Sequence, residues 1–188
     1  MNHRRFFVAS LVLFVAACGN RAVDDRIELL GPEAEGVPPS EFHRPGQPCI
    51  LCHGEYLREH PIMTVAGTIH AFPAADNPLP VKGVTVRLTD AFGEQKEAGT
   101  NCAGNFFITE DQWKPAFPLR AEIEYPVPGS VDSTKRVVMS TRISRDGSCA
   151  GCHKGAPNQG SPGWVTCAEA DLTPSFPAQE SSCPGARP

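Results

Sequence analysis

At 188 residues the chain has room for one domain or two small ones. Its 17 Lys and Arg against 21 Asp and Glu give a net charge of −4, and no basic run lies beyond the first few residues, which argues against nucleic acid as a partner. With 19 Pro and 17 Gly it is turn-rich and poor in long helices.

The N-terminus reads MNHRRFFVASLVLFVAACGN. His3, Arg4 and Arg5 form a short basic region before an apolar run of 12 residues from Phe6 to Ala17. A membrane-spanning helix needs ~20 residues, so residues 1–17 read as a secretory signal and are set aside from the fold. The signal ends Val15-Ala16-Ala17-Cys18, which resembles the lipobox of bacterial lipoproteins, with Val where Leu is commoner. The resemblance implies cleavage before Cys18 and acylation of its thiol and new amine, each buried CH₂ contributing about 0.8 kcal/mol to membrane anchoring. Gly19, rather than Asp, follows the cysteine, and by the family's sorting rule this implies the outer membrane, facing the periplasm or the cell surface.

Loss of the signal leaves 171 residues and, without Arg4 and Arg5, a net charge of −6. Residues 18–42 are acidic, carry Pro and Gly, and show no apolar period beyond a turn near Ile27–Leu30. They read as a tether with an end-to-end distance of about 27 Å. Residues 43–63 follow, HRPGQPCILCHGEYLREHPIM. Pro48 suits a first helical turn and Pro61 a stop, so the spacing predicts a short helix with His53, Tyr56, Leu57 and His60 on one face.

Residues 64–145 alternate with period two. TVAGTIH, VKGVTVRLT, GNFFIT, LRAEIEY and RVVMSTRI predict strands between turn clusters, and hence a mainly β, antiparallel sandwich. In LRAEIEY, Leu119, Ala121, Ile123 and Tyr125 are expected inward, and Arg120, Glu122 and Glu124 outward. The order GTI…VKGVTVRL…TNCAGNFFIT resembles the carboxypeptidase regulatory-like, prealbumin-type sandwich, in which a T-[DN]-x-x-G-x-[FY] turn leads into a strand. Thr100, Asn101, Gly104 and Phe106 match that turn over a resemblance of roughly 80 residues, which implies a fold and no catalytic residues. Residues 146–188 read as a loop-rich tail.

On either side of the sandwich stands the same motif: Cys49, Cys52 and His53 in PCILCHGEY, and Cys149, Cys152 and His153 in GSCAGCHKGAP. With 8 Cys and 6 His, chance placement yields only ~0.01 copies of C-x-x-C-H, the c-type haem attachment pattern. In c-type cytochromes the two thiols add to the haem vinyl groups and the histidine ligates iron beneath the ring. Two haem c groups are therefore expected, on Cys49 and Cys52 with proximal His53, and on Cys149 and Cys152 with proximal His153. A structural zinc site built on two C-x-x-C pairs needs no adjacent His, a thioredoxin-like motif wants a βαβ context, and disulfides within C-x-x-C are strained and leave the histidines unexplained. Candidates for the far axial positions are His60 and His70, then His43, Met63 and Met139. His60 is handicapped by sharing a helix face with His53, and Trp164 is a candidate to pack on a haem ring.

Cys102, Cys167 and Cys183 remain, enough for one disulfide and one odd thiol. Pairing Cys167 with Cys183 closes a loop of about 16 residues, contributing roughly 3 kcal/mol. Cys102, in the sandwich turn, is the alternative anchor for the tail. The leading expectation is a dihaem c-type lipoprotein carrying electrons to and from other redox proteins of the cell envelope. A haem oxidoreductase such as a peroxidase needs an open iron position, and known dihaem peroxidases are longer and helical. A sandwich-based binding or scaffold lipoprotein with structural metal sites is the third class. An intradiol dioxygenase would need two Tyr and two His on iron, and only Tyr56 and Tyr125 exist here. If the opening strand at Thr64 and the closing strand near Ile143 run antiparallel, the two motifs gather at one end of the sandwich.

Overall fold

The computed structural model describes residues 20–33, 37–71, 79–127, 133–155, 157–158, 160–167 and 183. The elements in chain order are α1 (Arg21–Glu28), α2 (Ile50–His53), β1 (Met63–Thr68), β2 (Thr85–Thr89), β3 (Gln95–Gly99), β4 (Asn105–Thr109), β5 (Arg120–Pro126), β6 (Thr134–Val138), β7 (Gly147–Ser148) and α3 (Cys149–Cys152). The signal and Cys18 lie outside the described residues. No described helix is long and apolar enough to cross a membrane.

The strands form two sheets, one ordered β4-β1-β7 and the other β3-β2-β5-β6. All pairings are antiparallel except that of β1 with β7, where Val65 and Ala66 run parallel beside Gly147 and Ser148. The mainly β class expected from the alternation holds. Val65, Phe106 and Ile108 of the smaller sheet meet Val86, Leu88, Ile123 and Tyr125 of the larger one, with Leu119 and Trp113 completing a single apolar core. Removing these side chains from water is the main force closing the two layers.

The T-N-x-x-G-x-F turn has a physical account. Thr100 Oγ1 donates to the Val81 carbonyl at 2.6 Å and accepts from the Val84 amide at 3.0 Å. Asn101 Oδ1 accepts from the amides of Ala103 and Asn105 at 3.0 and 3.1 Å, closing an Asx-type turn. Gly104 has φ of 72°, and a Cβ there would lie 2.5 Å from the Ile69 carbonyl oxygen, so only glycine fits.

Several expectations need correction. The helix carrying the first motif is one turn, not a helix running to Pro61. It ends at Gly54, and Arg58 takes a positive φ of 55°, so Tyr56, Leu57 and His60 share no helical face with His53 and are exposed. The segment read as a tether contains the eight-residue α1, although it buries no side chain. Glu122 faces outward yet is 5% exposed, because Arg87 and Arg136 cover it. Burial pushes its carboxyl up, but those two guanidinium groups outweigh this and hold it below the ordinary glutamate range. Of the two pairings left open for the tail, the one observed is Cys183 with Cys102, and Cys167 is a buried free thiol pushed up to about 12 by desolvation.

The Cys102–Cys183 bridge spans 81 residues, a loop whose closure entropy is worth about 4.5 kcal/mol. Cys102→Ser and Cys183→Ser should each lower the urea midpoint by the same amount, and the double variant by no more. A larger loss in the double variant would assign the two sulfurs separate roles.

Candidate haem-attachment centre

Both motifs adopt the same local form. The His53 amide donates to the Cys49 carbonyl at 2.9 Å, and the His153 amide to the Cys149 carbonyl at 2.8 Å, each closing one α-helical turn. Residues at i, i+3 and i+4 of such a turn lie on one face, so each motif presents two sulfurs and an imidazole together.

The imidazoles are also oriented alike. His53 Nδ1 lies 2.9 Å from the Glu59 carbonyl and 3.1 Å from that of Pro61. His153 Nδ1 lies 2.9 Å from the Gly163 carbonyl. A carbonyl can only accept, so Nδ1 carries a proton in both rings, which leaves Nε2 as the nitrogen that a neutral ring would offer to a metal. The loop that delivers Gly163 is closed by Ser161, whose Oγ accepts from the amides of Lys154 and Gly163 at 3.0 Å each. These carbonyls and Ser161 carry no sequence signature, since their roles come from loop closure alone.

The two motifs are neighbours, though not for the reason of strand direction. The strand that enters the second motif, β7, runs parallel to β1, and helices α2 and α3 both pack on β1. The first segment folds back along β1 instead of trailing from its start. The Gly46 amide donates to Thr68 Oγ1 at 2.7 Å, at the far end of the strand. Asn105 fixes the same segment, donating from Nδ2 to the carbonyls of His43 and Glu41 at 3.1 and 3.3 Å. Asn101 Nδ2 adds a bond of 2.8 Å to the Glu41 carbonyl.

Bare backbone makes room for the second motif. A Cβ on Gly147 would lie 2.0 Å from the Thr64 carbonyl oxygen, and one on Gly67 would lie 2.7 Å from Cys149 Cβ. The four motif thiols are unpaired. Burial pushes Cys149 up to about 12, with the charge of nearby Cys49 adding to the shift. Burial likewise pushes Cys49 up to about 11. Reactive C-x-x-C dithiols show a shift in the opposite direction, a lowered first pKa.

The far-ligand candidates fall into distinct places. His43 comes beside His53, with ring centroids 5.8 Å apart. His60 is exposed. His70 is 3% exposed and stacks at 5.0 Å on Trp164, which also covers Gly46; burial lowers its pKa to about 4, with a backbone bond to Val165 opposing. Met63 is buried at the start of β1, and Met139 follows β6 on the other sheet. Among the described residues, no three His, Cys, Asp or Glu gather as a compact metal cage. A haem asks for less, two thiols and one imidazole on one face, and the residues of both motifs fit that demand.

Gly67→Val should crowd Cys149 and lower stability by about 1–3 kcal/mol in urea unfolding. Gly99→Val, where nothing lies within 4 Å, should stay within about 0.5 kcal/mol of the parent. Equal losses at the two sites would remove the close approach as the cause.

No protein family, curated protein or solved structure matches the chain, so its function is argued from the site itself.

Proposed function

We propose that the chain is a dihaem c-type electron carrier, held at the bacterial outer membrane through Cys18 and exchanging electrons with other redox proteins of the envelope. The observation that carries this reading is the duplicated geometry. Each C-x-x-C-H forms one helical turn whose histidine is tied at Nδ1 to a backbone carbonyl, with no Nε2 bond to a partner among the described residues. Haem bound there supplies one-electron cycling between ferric and ferrous iron.

The chain's own residues have the tasks of attachment, orientation and spacing. Cys49, Cys52, Cys149 and Cys152 offer the thioether sulfurs. The carbonyls of Glu59, Pro61 and Gly163 fix the imidazole planes and raise their basicity as ligands. Strand β1 holds the two turns side by side, the arrangement an electron relay needs. On this reading the prealbumin-type sandwich is a rigid mount and takes no part in the chemistry.

The purified protein should give a pyridine haemochrome spectrum equivalent to two haems per chain. Cys49→Ser with Cys52→Ser should leave one haem, and Cys149→Ser with Cys152→Ser should remove the other. An intact mass equal to that of the bare lipoprotein, with stoichiometric zinc, would falsify the proposal.

Anchoring is tested separately. Cys18→Ser should move the protein from the membrane to the soluble fraction. If the variant still pellets with membranes after a salt wash, acylation of Cys18 is not the anchor.

A further inference from the structure

We propose that His43 is the second axial ligand of the first haem, opposite His53, so that this iron is held by two imidazoles. The assignment rests on the haem reading above.

Three observations carry it. The first is separation. Two imidazoles on one iron, with metal–nitrogen bonds of about 2 Å, have ring centroids roughly 6 Å apart. Those of His43 and His53 are 5.8 Å apart.

The second is orientation. His43 Nδ1 sits against the backbone of its own turn, between the carbonyl of Ser40 and the Ser40 amide, the latter at 3.2 Å. Both contacts engage Nδ1, so the nitrogen left for another partner is Nε2. His53 is anchored the same way by Glu59 and Pro61. Each ring therefore has the same nitrogen available, and each is aimed by carbonyls supplied from its own segment.

The third is that His43 is placed by the sandwich. Its carbonyl accepts from Asn105 Nδ2, the preceding Glu41 carbonyl accepts from Asn101 and Asn105, and the Gly46 amide is tied to Thr68. Asn105 is itself 5% exposed, and its Oδ1 accepts from Thr68 Oγ1 at 2.8 Å. The ligand loop is thus fixed on β1 and β4 by hydrogen bonds, most of them part-buried, that need no haem. Among the other candidates His60 is exposed and Met139 belongs to the other sheet, while Met63 and His70 are buried on and just beyond β1, the ring of His70 lying against Trp164 rather than against His53.

The test uses the full-length haem-loaded protein. Haem count by pyridine haemochrome comes first, then optical and low-temperature EPR spectra of the oxidised form. In His43→Ala the count should stay at two per chain, and half of the total haem should pass from low spin to high spin. Millimolar free imidazole should restore the low-spin signal. His43→Met, which keeps a ligand at the position, should leave that haem low spin and shift one reduction potential upward, and it decides the matter if His43→Ala fails to mature. His60→Ala should change neither spectrum. Two haems with parental spectra and potentials in both His43 variants would overturn the assignment while leaving the electron-carrier reading intact. So would conversion of a haem in His60→Ala instead. A parent protein without covalent haem would overturn both, and the haem count distinguishes that case.

Discussion

Gly147 lies so close to β1 that a single added carbon would sit 2.0 Å from the Thr64 carbonyl oxygen. The path of the chain into the second motif follows from this approach. Two parallel pairs, Val65 with Gly147 and Ala66 with Ser148, set the register of the chain as it enters α3. Cys149 then falls against Gly67, where again no side chain intervenes. At the end of the same strand Thr68, together with Asn105 of the neighbouring β4, receives the first motif's approach segment by hydrogen bonds. Strand β1 and the first residue of β4 therefore position segments about a hundred positions apart in sequence.

The two sheets divide their tasks. The four-stranded sheet carries an outer charge network in which Arg87 bridges Glu97, Glu122 and Glu124, and Arg136 adds to Glu122. Glu122 is buried beneath it, so that pair is screened less by solvent than its exposed neighbours. The three-stranded sheet offers glycines and backbone groups in place of charge. Raised thiol pKa values at Cys49 and Cys149 belong to the same dry surroundings.

Legibility in the sequence followed locality. The two C-x-x-C-H motifs, the alternation of Val84, Val86 and Leu88, and the Thr100–Phe106 turn each depend on residues a few positions apart, and each could be read directly. Strand β3 carries QKEAG, an edge with no apolar alternation to mark it, and β7 is two residues long, shorter than any period. The helix expected to reach Pro61 stopped at Gly54, because one glycine outweighed a seven-residue spacing of apolar and His positions. The pairing of Cys102 with Cys183 and the meeting of His43 with His53 are products of tertiary closure. No count of cysteines or histidines contains that information.

The bridge between Cys102 and Cys183 turns the intervening chain into a covalent ring. That ring contains β4 to β7 and the whole of the second motif, while the first motif and β1 to β3 enter it through Cys102. A protease that cuts once anywhere between these two cysteines opens the ring without producing two molecules. Both ends of the nick remain bonded to the same body, and the second motif is not lost from its partner. The connection between the two motifs is therefore tolerant of a single cleavage.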